Sequence, residues 1–242
     1  MRRVRRALGA VVVAALALLG ALLLYAVLRA RPQDLPWTRL DLAEPIGLFT
    51  GRKLAALGED FAQCRALLDA AGVRYTVLQP IAQGQCGYDD GLRFEPGGAR
   101  EIRFSPARVG VSCPVAAGLA MWEWNVIQPA AQRHFGADVT RIEHLGSYNC
   151  RRLYGRSTGD WSQHARANAI DVAAFRLSDG TRVSVLRDWK GQGEKAAFLR
   201  EVRDGACRLF ATVLSPDYNA AHRDHLHLDQ APRGEMGWRA CR

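Results

Sequence analysis

The chain has 242 residues, 48% of them hydrophobic and 24% charged, a globular composition that excludes overall disorder. Its 6 cysteines are too sparse for a pure disulfide scaffold, and its 23 glycines follow no period, which excludes a collagen-like rod. The net charge of +9 is largely local: Arg2, Arg3, Arg5, Arg6, Arg29 and Arg31 lie in the first 31 residues, and the remaining 27 basic and 24 acidic side chains leave no footprint for nucleic acid.

From Ala7 to Leu28 the chain runs 22 residues without a charge, enough for a helix to cross a hydrocarbon core of about 30 Å. A secretory signal has a shorter apolar region followed by a small-residue cleavage site. Here the one tidy Ala-x-Ala, Ala15 to Ala17, lies inside the run. The reading adopted is an uncleaved signal anchor, with a cleaved signal as the alternative. Arginines crowd the N-terminal flank, so residues 1–6 form a cytoplasmic tip, 7–28 the membrane span, 29–45 a linker with three prolines, and 46–242 an exported domain.

Further elements follow in order. Thr50 to Gly72 is helical, with Leu54, Leu57, Phe61, Cys64, Leu67 and Leu68 at helical spacing. Arg74 to Gln79 alternates as a strand, and the Gly- and Pro-rich stretch Gln83 to Pro106 predicts short strands and turns. Cys113 to Phe135 is a second helix, interrupted near Pro129, with Trp122 and Trp124 as core residues. Val139–Tyr148, Ala169–Leu177 and Thr181–Leu186 are strands, the last two joined by a hairpin at Ser178-Asp179-Gly180. A helix over Glu194–Val213 and a strand over Asp224–Asp229 complete an α+β domain, a mainly antiparallel sheet with flanking helices. Cys64, Cys86, Cys113, Cys150, Cys207 and Cys241 all follow the apolar run and form no Cys-x-x-Cys pair, so three disulfides in an oxidising compartment are expected. Pairing of sequence neighbours (64–86, 113–150, 207–241) is the connectivity adopted.

Two segments concentrate the chemistry. In WSQHARANAIDVAAF, His164 precedes Asp171, a carboxylate set into an apolar strand, where it needs a partner or a metal. In HRDHLHLD, a strand from Asp224 would turn His225 and His227 to one face. Four of the six histidines fall here, at 164, 222, 225 and 227. Imidazole and carboxylate together suit zinc, with a fourth position left to water in a catalytic site. Manganese or iron fits the same donors more loosely.

Ser162-x-His164, Ala169-x-Asp171 and His225-x-His227 resemble the signature of the zinc DD-peptidases of the LAS group, which cut peptidoglycan and share a fold with Hedgehog domains. More closely, GSYNCR (146–151), SQHARANAIDVAAF (162–175), Asp188-Trp189, GACRLF (205–210) and LSPDYNAAHRDHLHLD (214–229) resemble the bacterial extensin-like C-terminal domain family over roughly residues 40–242. The resemblance implies one zinc per chain held by His164, Asp171 and His227. It implies that His225 handles a proton or stabilises the transition state, with Asp224 as the alternative base. Arg151, and more weakly Tyr148, would hold substrate. It departs from the pattern at Ala167, where glycine is common, and at Asp224, where some relatives carry glutamate.

The expected protein is therefore a bacterial inner-membrane protein, single-pass with a cytoplasmic N-terminus, whose periplasmic domain is a zinc-dependent peptidase acting on peptidoglycan peptides. The alternative is a non-catalytic wall-binding module with a structural or vestigial metal, in which His222 or Asp229 closes the fourth position. A disulfide-stapled assembly factor without metal is the third reading. No partner protein is identifiable from the sequence.

Overall fold

A computed structural model describes residues 2–98, 103–234 and 238–242. Helix α1 (Arg2–Ala30) is continuous and has no buried residue. Its mean hydropathy reaches 2.8 over 18 residues. A helix apolar all round and packed on nothing needs an apolar surrounding, as a membrane span or a signal sequence does.

The proline-bearing stretch that follows is packed against the domain. It opens with a 3-10 turn at Pro32–Asp34, and Gln33, Leu40 and Leu42 are buried. The Lys53 ammonium donates to Thr38 Oγ1 at 2.8 Å and to the Pro32 carbonyl at 3.3 Å. Domain packing thus begins well before residue 46.

The helix expected over 50–72 is two, α2 (Thr50–Ala56) and α3 (Phe61–Ala70), separated by a 3-10 turn at Leu57–Glu59. Asp60 explains the restart, because its carboxylate accepts the Gln63 N–H at 2.9 Å as an N-cap. Short strands follow: β1 (Tyr75–Val77), β2 (Ile81–Gln83), β3 (Cys86–Tyr88), β4 (Gly91–Phe94), β5 (Phe104–Ser105) and β6 (Val111–Ser112). Residues 99–102 of the expected Gln83–Pro106 stretch lie outside the described residues. Strands β1, β4 and β6 form one antiparallel sheet, and β2–β3 is a separate hairpin.

The second long helix divides into α4 (Cys113–Trp122), a π-helical turn (Glu123–Ile127) and α5 (Gln128–Phe135). Pro129 lacks an N–H, and the wider turn before it absorbs the missing bond. Trp122 is fully buried and donates Nε1–H to the Val202 carbonyl at 2.8 Å. Trp124 is half-buried at the edge of the core.

The remaining elements are β7 (Val139–Gly146), β8 (Ala169–Leu177), β9 (Arg182–Ser184), α6 (Val185–Asp188), α7 (Glu194–Ala206), β10 (Thr212–Leu214), β11 (Leu226–Asp229) and β12 (Ala240–Cys241). Helix α7 stops short of the expected Val213 because the chain turns at 207–211 to enter the sheet. The main sheet runs β12-β10-β11-β8-β7-β5, with β9 also on β8, and among the described residues only β10–β12 and β5–β7 are parallel. Ile170, Val172, Phe175, Leu226 and Leu228 bury one face of it with Trp122, Phe198 and Phe210. The domain is α+β with a mainly antiparallel sheet.

Cys207–Cys241 pairs as expected, but the other two disulfides are Cys64–Cys113 and Cys86–Cys150. The correction has a spatial cause. Cys64 on α3 and Cys113 at the start of α4 are both fully buried where those helices meet. The β2–β3 hairpin lies over residues 148–150, with the Tyr88 and Tyr148 rings edge to face at 5.5 Å. In the chain-entropy account, closing loops of 49 and 64 residues stabilises by about 4 kcal/mol each. Replacing Cys64 and Cys113 together by alanine should cost about 2–4 kcal/mol in denaturant unfolding, and peptide mapping without reductant should return the 64–113 and 86–150 links.

Helices α5 and α7 are clasped by His134, whose Nδ1 meets Glu194 Oε2 at 2.6 Å and Nε2 meets Glu201 Oε2 at 2.9 Å. The Glu194 hydrogen bond, with help from Glu201, raises the His134 pKa against its partial burial. A raised folded value contributes stability that is complete below about pH 6.5 and is lost as pH rises through it. The melting temperature of the wild type should therefore fall between about pH 6 and pH 9 by more than that of His134→Gln.

Candidate metal centre

Asp171 and His227 are direct cross-strand partners in the β8–β11 register, with Val172–Leu226 and Ile170–Leu228 on either side. Alternation sends these apolar neighbours into the core and leaves Asp171 and His227 together on the opposite face. His164 arrives from a 3-10 turn, Gln163–Arg166, capped by the Ser162 hydroxyl. Asp171 Oδ1 lies 3.2 Å from His164 Nε2 and 2.9 Å from His227 Nδ1, and the two nitrogens are 3.2 Å apart. The three residues predicted as ligands thus converge, with one donor atom from each inside a 4.8 Å span.

These residues fit a divalent cation on three counts. The donor set is two imidazole nitrogens and a carboxylate oxygen, the set zinc takes. Both rings are oriented from outside, since His164 Nδ1–H donates to the Ser147 carbonyl at 2.6 Å and His227 Nε2–H to Asp229 Oδ2 at 3.0 Å. That leaves the inner nitrogen of each ring as the one a cation would take, as histidine ligands require. Finally, the buried pair Asp171 and Asp229 carries two negative charges that neutral imidazoles leave uncompensated.

The protonation of the cation-free cluster reflects that charge. Burial opposes ionisation of Asp171, yet hydrogen bonds and charge from His164 and His227 hold its carboxyl far below the usual carboxylate range. Burial also pushes His227 down, but Asp171 and Asp229 outweigh it and raise the ring to about 9. A cation taking the Nδ1 position would displace that proton.

His225 precedes β11, so the expected strand from Asp224 is shorter than the sequence suggested. Its Nε2 nonetheless lies 3.5 Å from Asp171 Oδ1. Asp224 does not face away from His225 as a regular strand would require, because the chain turns there. Its Oδ1 accepts His225 Nδ1–H at 2.9 Å. Asp229 is held on the outer nitrogen of His227 rather than beside the three donors, and His222 Nδ1–H donates to Asn219 Oδ1 at 2.8 Å, with its ring 5.2 Å from that of His225. Burial, then the charges of His225 and His227, lower the His222 pKa to about 4, so it is neutral near pH 7.

Arg151 is half-buried, its side chain makes no hydrogen bond or ion pair among the described residues, and its charge reaches His222. Tyr148 hydrogen-bonds Gln83 Oε1 at 3.3 Å, on the β2–β3 hairpin. Near His222, Asn219 Nδ2 donates to Tyr154 Oη at 3.2 Å, and Tyr218 packs on His222 at 5.5 Å. Ala167 occupies the left-handed region at φ +52°, where glycine carries no Cβ penalty.

The chain matches the family described as extensin-like protein C-terminus over residues 62–242. It belongs to that family. No curated protein and no solved structure matches it.

Asp229, expected only as a fourth ligand in the alternative reading, instead meets the outer nitrogen of His227, and its place two positions after His227 on a strand, hence on the same face, signals the contact. Ser147 acts through its backbone carbonyl, which no residue type announces. If Asp229 orients His227, Asp229→Asn should weaken zinc affinity by about 10–100-fold in chelator competition while the melting profile of the cation-free protein keeps a single transition.

Proposed function

We propose that the chain is a membrane-anchored, zinc-dependent peptidase that hydrolyses amide bonds of peptidoglycan peptides, with His164, Asp171 and His227 as its metal ligands. The observation that carries this is the convergence of three donors whose outer atoms are already engaged by Ser147 and Asp229. The motif resemblance to zinc DD-peptidases supports the substrate class. The arginine-flanked helix α1 and the three disulfides support an inner-membrane anchor with the domain in the periplasm.

A bound zinc would supply Lewis acidity and bring the pKa of a coordinated water near neutrality. The protein's own groups divide the rest. Asp224 holds the proton of His225 on Nδ1, leaving Nε2 to accept a proton from the attacking water and return it to the departing amine. Asp224 is then a positioning residue rather than the base. Arg151 offers an unpaired guanidinium for a substrate carboxylate or carbonyl, and Tyr148 flanks it. A second reading, a wall-binding module with a structural metal, is favoured by the closeness of His225, which offers a fourth protein donor.

The protein purified in detergent should carry zinc in equimolar amount, and His227→Ala and Asp171→Asn should lose it. His225→Ala separates the two readings. As a proton carrier its loss should leave the metal in place and slow muropeptide cleavage by about 10²–10⁴-fold; as a fourth ligand its loss should release the metal. A wild type that takes up no metal at neutral pH with zinc supplied rules out both.

A further inference from the structure

The passage from helix α1 into the domain leaves no slack. Arg31 N–H donates to the Leu28 carbonyl at 3.4 Å and Asp34 N–H to the Arg31 carbonyl at 3.0 Å, so the last turn of α1 runs straight into the 3-10 turn Pro32–Asp34. That turn is fixed to the domain. Gln33 is buried, and its carbonyl accepts the Phe49 N–H at 3.1 Å. The Lys53 ammonium reaches Gln33 Oε1 at 3.3 Å in addition to Pro32 and Thr38. Were residues 29–45 a free extended tether, they would let the domain stand off by roughly 55 Å. Instead, residues 31–49 form an ordered collar.

Two side chains of this collar are left outside the packing. Trp37 is 76% exposed and Leu48 77%, the highest values for large hydrophobic side chains among the described residues after α1. Both lie beside the turn that ends the helix. Lys53 holds Thr38 Oγ1 and the Pro32 carbonyl on one ammonium, which folds Trp37 back towards Pro32, and the Leu48 N–H donates to Asp34 Oδ1 at 2.8 Å. Single exposed apolar residues are ordinary, but these two stand where an apolar helix of membrane-spanning length emerges. The layer there is interfacial, several ångströms of headgroups on each side of the hydrocarbon. Tryptophan is enriched at that level because its ring is apolar and its N–H polar. The charged residues of the same stretch are mixed with a basic excess, Arg29, Arg31, Arg39, Arg52 and Lys53 against Asp34, Asp41 and Glu44. Asp34 and Asp41 each accept a backbone N–H, from Leu48 and Ala43.

We infer that the collar is a lipid-docking surface: the domain sits directly on the bilayer, with the Trp37 indole and the Leu48 side chain in the headgroup layer of the leaflet from which α1 emerges. Its occupant is lipid because the surface is continuous with the helix that the bilayer surrounds. The inference rests on the membrane-anchor reading of α1 and is independent of the metal centre. For the proposed activity it means that the centre is carried at a fixed height, and peptides within a domain's breadth of the bilayer are the ones it reaches.

The test is tryptophan fluorescence of the full chain in vesicles of phosphatidylcholine and phosphatidylglycerol, with or without bromine near the glycerol end of the acyl chains. Helix α1 contains no tryptophan, so the emission comes from the domain and its collar alone. Brominated lipid should quench part of the wild-type emission. Trp37→Phe keeps an aromatic ring at the interface and removes the reporter, so most of that quenching should be lost. Leu48→Trp in the Trp37→Phe background should restore it, which a domain swinging on a free tether would not do. Both positions are exposed, and the variants should melt in detergent as wild type does. Unquenched wild type, quenching that survives Trp37→Phe in full, or no recovery with Leu48→Trp would each overturn the docking. Alkaline carbonate separates the two readings: a chain that washes off the vesicles overturns the anchor and the docking together, whereas one that stays but fails the quenching arms overturns the docking alone.

Discussion

Asp171 sets an ionised carboxylate on a central strand between the fully buried Ile170 and Val172, and withdrawing that charge from water is unfavourable unless donors or a cation surround it. Much of the neighbouring architecture answers this need. The β8–β11 register delivers His227 opposite it, and the 3-10 turn before β8 delivers His164. Each ring must then be held in one tautomer, which the Ser147 carbonyl and the Asp229 carboxylate accomplish. His225 and its partner Asp224 sit at the edge of the same cluster, where the chain has not yet become strand. A chain of polar contacts with both ends satisfied is rigid, and rigidity of this kind is what a ligand set or an acid–base pair requires.

The disulfides place the surfaces around that cluster. Cys86–Cys150 fastens the β2–β3 hairpin beside the segment that carries Ser147, Tyr148 and Arg151. Cys64–Cys113 joins α3 to the start of α4, and Cys207–Cys241 ties the end of α7 to the edge strand β12. Links between remote segments limit how far the N-terminal elements can move against the main sheet.

Much of the secondary structure was legible because it depends on neighbours in sequence. Strand β8 has the bounds its apolar pattern suggests, and Pro129 marks the region where the second helix deforms. The single helix expected over 50–72 failed for a local reason that periodicity masks: apolar spacing continues across the Asp60 cap. The end of α7 was overextended because 207–213 keeps an apolar pattern while packing as turn and strand. The clustering of His164, Asp171 and His227 was also foreshadowed, since histidine and aspartate concentrate in two short segments and the motif resemblance singles out these three.

The pairing of Cys64 with Cys113, the contact of Asp224 with His225, and the engagement of Ser147 and Asp229 were not legible in that way. Composition and order establish a globular α+β domain behind an apolar helix, six cysteines able to pair, and a concentration of histidine and aspartate in two segments. Those properties reside in residue type and near-neighbour spacing. Which cysteines meet depends on the relative placement of segments from 34 to 64 residues apart, and which nitrogen of a ring faces inward depends on where the folded chain sets the Ser147 carbonyl and the Asp229 carboxylate. That placement is set by packing of the whole core, in which the cost of closing a loop grows only slowly with its length, so distance along the chain says little about who becomes whose neighbour.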